Sequence, residues 1–88
     1  MNDRLIDLIN WFGTSERKRF AEFAEKTGIE RETVKNLYHQ RQRINQDHIT
    51  AIAEAFPEYK MWFVFGETYP EAGQMSPELE DTRKAYNG

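Results

Sequence analysis

Arg41 and Arg43, in QRQR, close a stretch (GIERETVKNLYHQRQR, residues 28–43) that also holds Arg31, Lys35 and His39. Cations spread along an amphipathic segment and the loop behind it suit an extended anion better than a reacting centre. The total charge of −3 argues the other way, so the distribution has to decide. Residues 1–13 carry −1, from Arg4 against Asp3 and Asp7. Residues 14–43 carry eight Lys/Arg against five Glu, +3, and residues 44–88 carry three Lys/Arg against eight Asp/Glu, −5. A local basic field of this kind can hold a polyanion although the whole chain is acidic. In isolation, a Lys/Arg-rich helix face is also what plain solvated surface looks like, and only spacing separates the two.

Other chemistries find less support. Glu30 and Glu32 resemble a carboxylate pair, but two residues apart on a helix they face different ways, and no nucleophile–base set accompanies them. His39 and His48 lie in different elements with no third ligand beside them. There is no cysteine, which removes disulfides, thiolate zinc sites and cysteine nucleophiles together. We therefore expect no enzyme activity, no cofactor, no metal and no small-molecule ligand. Eighty-eight residues imply one small domain with a thin core. A hydrophobic fraction of 39 % with 14 % aromatics is enough to fold it. The longest apolar run, MWFVF, is far too short to span a bilayer, and nothing resembles a signal peptide. A cytoplasmic protein without a membrane partner is the expectation.

The positioning elements are all helical. DRLIDLINWF has the stripe Leu5, Leu8, Ile9 and Phe12, with Asn2 or Asp3 to start it and Gly13 to end it. Thr14 or Ser15 should cap a second helix with the stripe Phe20, Phe23, Ala24 and Thr27, ending at Gly28 in left-handed conformation. A third helix begins near Glu30 with Ile29, Val34, Leu37 and Tyr38 inward. Asn45 caps a fourth, with Ile44 and Ile49 as a staple and Ile52, Ala53 and Phe56 on the same face. Pro57 stops it and suits the first turn of a fifth, PEYKMWFVFG, closed by Gly66. ETYPEAGQMSP reads as an extended linker, and Ser76 and Pro77 can start a last, sparsely apolar helix. No strand pattern is present.

Two helices over a short glycine turn are the helix-turn-helix plan. With Gly28 in register, the motif runs FAEFAEKTGIERETVKNLYH, Phe20 to His39. Ala24 takes the small site between the helices, and Ile29, Val34 and Leu37 take the three buried sites. On these residues, over about 3–66, the chain resembles the lambda-repressor and Cro-type family of five-helix DNA-binding domains. The segment after Phe56 also resembles the ends of small regulators from bacteria and their phages. Two positions depart from the family: Phe20 stands where Gln is frequent, and Glu30 where Ser or Thr usually caps the recognition helix.

The resemblance implies an all-α fold: a five-helix lambda-repressor-like domain over residues 1–66, with residues 67–88 as linker and C-terminal tail or short helix. It implies that Arg31, Glu32, Lys35, Asn36 and His39 read bases in the major groove. Arg or Lys can donate to guanine, Asn can pair with adenine and Glu can accept from cytosine. Arg17, Lys18, Arg19, Thr33, Arg41 and Arg43 would hold phosphates, which fixes register without reading sequence. One such helix reads few base pairs, so a homodimer on a palindromic operator is expected. Its contact would come from Met61, Trp62, Phe63 and Phe65 with Leu79 and Tyr86, because five successive apolar residues cannot all face one core. The expected function is a DNA-binding transcriptional repressor of phage or bacterial type, bound to the nucleoid. The alternatives are the antitoxin of a toxin–antitoxin pair and a helical protein-binding module without DNA binding.

Overall fold

Six α-helices follow one another in a computed structural model that describes the backbone of residues 1–87 and the side chains of residues 1–82. They are α1 (Asn2–Phe12), α2 (Arg19–Thr27), α3 (Arg31–Tyr38), α4 (Gln46–Ala55), α5 (Lys60–Phe65) and α6 (Pro77–Asn87). Single 3-10 turns cover Pro57–Tyr59 and Pro70–Ala72. The described chain is all-α, and its one extended pairing is an isolated bridge between Tyr69 and Gln74.

The core follows the apolar stripes. Leu5, Leu8 and Ile9 of α1 are essentially fully buried, with Phe23 of α2, Val34 and Leu37 of α3 and Ile52 of α4 against them. Each such side chain stabilises the fold by about 1.5–3 kcal/mol through burial. Phe12 stands edge-on to Phe56 with ring centroids 5.2 Å apart, and Phe23 stacks on Phe56 at 5.7 Å. These rings tie α1, α2 and the end of α4 together.

The turn between α2 and α3 is built locally. Gly28 adopts φ 79°, where a β-carbon is disfavoured, and its amide donates to the Ala24 carbonyl at 2.8 Å. Thr27 bridges the corner: its hydroxyl donates to the Phe23 carbonyl at 2.8 Å and accepts from the Ile29 amide at 3.2 Å. Ile29 is thereby turned into the core.

At α2's start the structure differs from the expectation. Ser15 caps a separate turn, its Oγ accepting from the Lys18 amide at 3.2 Å and its carbonyl from the Arg19 amide at 3.0 Å. The helix begins only at Arg19. Thr14 is instead closed by Glu22, whose carboxylate takes the Thr14 amide at 2.9 Å and its hydroxyl at 2.8 Å. Those bonds, the backbone one first, hold the Glu22 pKa below its ordinary value. Gly13 is extended, not left-handed; it is needed because a β-carbon there would lie 2.9 Å from Arg19 Cα.

Asn45 caps α4 as expected, in a reciprocal box: the His48 amide donates to Asn45 Oδ1 at 2.9 Å, and the Asn45 amide to His48 Nδ1 at 3.2 Å. His48 is thus used in the cap.

Residues 67–76 are not an extended linker. Gly73 reverses the chain at φ 80°, and Met75 donates its amide to the Glu58 carbonyl at 2.7 Å. The Gln74 carboxamide then bridges backbone in both directions, accepting from the Met61 amide at 3.0 Å and donating to the Pro57 carbonyl at 3.0 Å. From α1, Arg4 reaches the other end of α5, donating from Nε to the Phe63 carbonyl at 2.9 Å and from Nη2 to Val64 at 3.3 Å. Ser76 caps α6 through the Leu79 amide at 3.1 Å. That helix rests on α1, where Trp11 Nε1 donates to Asp81 Oδ1 at 3.1 Å.

Candidate nucleic-acid interface

Burying Val34 and Leu37 turns the opposite side of α3 to solvent, because successive helical residues lie about 100° apart. Arg31, Glu32, Lys35 and His39 are exposed there, and Thr33 and Asn36 are half-buried at the margins. Glu30 precedes the helix without a side-chain cap, so Glu32 is the acidic residue of its first turn, where a negative charge suits the helix dipole.

Cations flank this face on both sides in sequence. Arg17 and Lys18 are exposed in the Ser15 turn, and Arg41 and Arg43 are exposed in the loop after α3. Arg19, expected among the phosphate contacts, differs from these four in being half-buried and engaged within the fold. Its guanidinium lies 4.5 Å from the Tyr38 ring centroid and 5.0 Å from that of Phe20, and its Nη1 donates to Asn10 Oδ1 at 3.0 Å. Its Nε is buried with no hydrogen-bond partner among the described residues. Arg19 is an internal brace between α1, α2 and α3.

Sequence reasoning missed the rest of that brace. Asn10 Oδ1 also accepts from the Tyr38 hydroxyl at 3.1 Å, so one amide of α1 fixes the first residue of α2 and the last of α3. Phe20 stands edge-on to Tyr38 at 5.0 Å and to His39 at 5.8 Å. The aromatic side chain at position 20 therefore holds the C-terminal end of α3 by ring contact. Partners 9 and 28 residues from Asn10 leave no local signal; only the chemical pairing of Arg, Tyr and Asn could have suggested them.

The arrangement is an outward helix bearing donors and acceptors, braced at its far end and flanked in sequence by exposed cations. Residues 16–57 match the family model of the Cro/C1-type HTH DNA-binding domain. This segment is a Cro/C1-type helix-turn-helix domain. No curated protein matches the chain. The Cro/C1-type segment contains α2, α3 and α4, with α3 as the second helix of its motif. That family binds double-stranded DNA and is non-catalytic. In this chain α1 packs on α2 and α3 of the Cro/C1-type segment, α5 packs on its α4, and α6 rests on α1.

The residues expected at a dimer contact are dispersed. Phe63 is 1 % exposed and belongs to the core, a correction to its place on an interface, since its surface is already used within the chain. Met61, Trp62 and Leu79 are half-buried, and Phe65 is 62 % exposed. The Tyr86 side chain lies outside the described residues. Phe65 forms one wall of an open cavity of about 520 Å³ between α4 and α5, with Ile49, Ala53 and Val64 among its apolar lining. Among the described residues no three His, Cys, Asp or Glu are grouped to hold a metal ion, and no helix is long and apolar enough to cross a membrane.

Proposed function

We propose that the protein is a sequence-specific transcriptional repressor that binds a palindromic operator as a homodimer and acts on the cytoplasmic nucleoid. The observation that carries this reading is the exposed face of α3 within a Cro/C1-type domain. Arg31, Glu32, Lys35, Asn36 and His39 read base edges; Arg17, Lys18, Arg41 and Arg43 hold phosphates, with Thr33 at the margin of the same face. Repression follows from occupying DNA that polymerase needs, because the family binds DNA and is non-catalytic. Pairing two copies extends a short readout to two half-sites one helical turn apart. Phe65 supports the dimer: a large ring 62 % exposed beside an apolar groove is a surface that association would cover. Met61, Trp62 and Leu79, half-buried and outside the lining of that groove, add smaller areas to the proposed association.

Selection of bound duplexes from a random pool tests the reading, with light scattering of the free protein and of its complex. An enriched two-fold symmetric sequence with two chains per duplex is expected. Retention without any enriched sequence would remove the repressor reading, and no retention at low salt would remove DNA binding itself.

A further inference from the structure

The recognition helix ends without a glycine. Gln40 follows it at φ 59°, and among the described residues it is the only non-glycine with positive φ. Its amide donates to the Leu37 carbonyl at 3.2 Å and the Arg41 amide to the Asn36 carbonyl at 2.9 Å. This is the paired closure of a Schellman motif, whose left-handed position is ordinarily glycine because a β-carbon is disfavoured there. Glycine stands at the other three left-handed positions among the described residues, Gly28, Gly66 and Gly73. Nothing inside the fold accounts for a long side chain at this one. Gln40 is exposed, and its carboxamide makes no hydrogen bond to a described residue. Its neighbours are His39 on the α3 face and the exposed cations Arg41 and Arg43. Unfavourable backbone that persists at such a place points to a use for the side chain.

We infer that Gln40 is a base-reading residue, held at the exit of the recognition helix by the left-handed turn and directed at an adenine of each half-site. A neutral carboxamide offers a donor and an acceptor together, the complement of adenine N7 and N6 in the major groove. A phosphate would be served better by the arginines beside it. The inference rests on the DNA-binding reading above, and wild-type protein on the same duplexes tests that reading separately. Gln40→Gly relieves the turn and removes the reader. It should melt at a higher temperature than wild type while binding the selected operator about tenfold or more weakly. Binding to random duplex and the salt dependence should stay unchanged, because an uncharged side chain releases no counterions. Selection with the variant should show one adenine preference relaxed in each half-site. Unchanged operator affinity in a variant of raised stability would overturn the inference. So would an equal loss on random duplex, or a variant no more stable than wild type.

Discussion

Removing Arg41 and Arg43 together should halve the salt dependence of DNA binding. Each subunit presents four exposed cations beside the α3 face, Arg17, Lys18, Arg41 and Arg43, while Arg19 is held by Tyr38 and Asn10. A dimer then neutralises about eight phosphates, and at about −0.9 per contact the slope of log K against log salt is about −7. The Arg41→Ala/Arg43→Ala dimer keeps about four contacts and a slope of about −3.6. Between 50 and 200 mM salt, wild type should lose affinity about 10⁴-fold and the variant about 10²-fold. Fluorescence anisotropy on operator and random duplexes across that range measures both slopes. The two duplexes should change together, since phosphate contacts carry no sequence information. Arg19→Met provides the internal control: it should lower the melting temperature and leave the slope near −7. An unchanged slope in the double variant would refute the clasp, and a flatter slope in Arg19→Met would refute the brace.

Alanine at Arg31 or at Asn36 should weaken operator binding by about 1–3 kcal/mol and relax preference at one position of each half-site. Preference unchanged in both would show that α3 is not the reader. Phe65→Glu replaces a ring 62 % exposed, so the fold should keep its melting temperature while light scattering reports a monomer and operator binding falls. A variant that stays dimeric would move the interface away from the α4–α5 groove. Glu22 has its pKa lowered by bonds from Thr14, so its contribution is present above the unfolded-state value and is lost as pH falls through the folded value. Acid titration of stability should therefore be shallower in Glu22→Gln than in wild type, and parallel curves would remove that contribution.

Much of this architecture is written locally in the chain, and what is not depends on distance. Gly28, Asn45 and Gly66 each act through backbone conformation or bonds within a few residues, so their helices begin or end where expected; Pro57 stops α4, but the turn it opens is 3-10 and α5 begins only at Lys60. The face of α3 was readable for the same reason, since Val34 and Leu37 fix its rotation. The internal contacts of Arg19 were not readable, because Asn10 and Tyr38 reach it only after three helices have met. Residues 67–76 looked extended because their proline and glycine mark turns without saying what they fold against, which the Gln74 carboxamide decides. Phe63 sits among four other apolar residues, and periodicity alone could not say which of the five turns inward. The end of α3 carried no stop signal, since glutamine and arginine are both compatible with continued helix.

Helix α5 has six residues, and both of its ends are closed by side chains from elsewhere: Gln74 at Met61, and Arg4 at Phe63 and Val64. A helix so short is marginal by itself. It is therefore consolidated only when the first helix has docked and the chain has been synthesised beyond residue 74. Phe65 is set in its exposed position by that same helix, so a nascent or truncated chain offers no ordered surface for a second copy. Under the proposed dimer, association is thereby conditional on completed folding, and an incomplete chain is kept from pairing with a finished one.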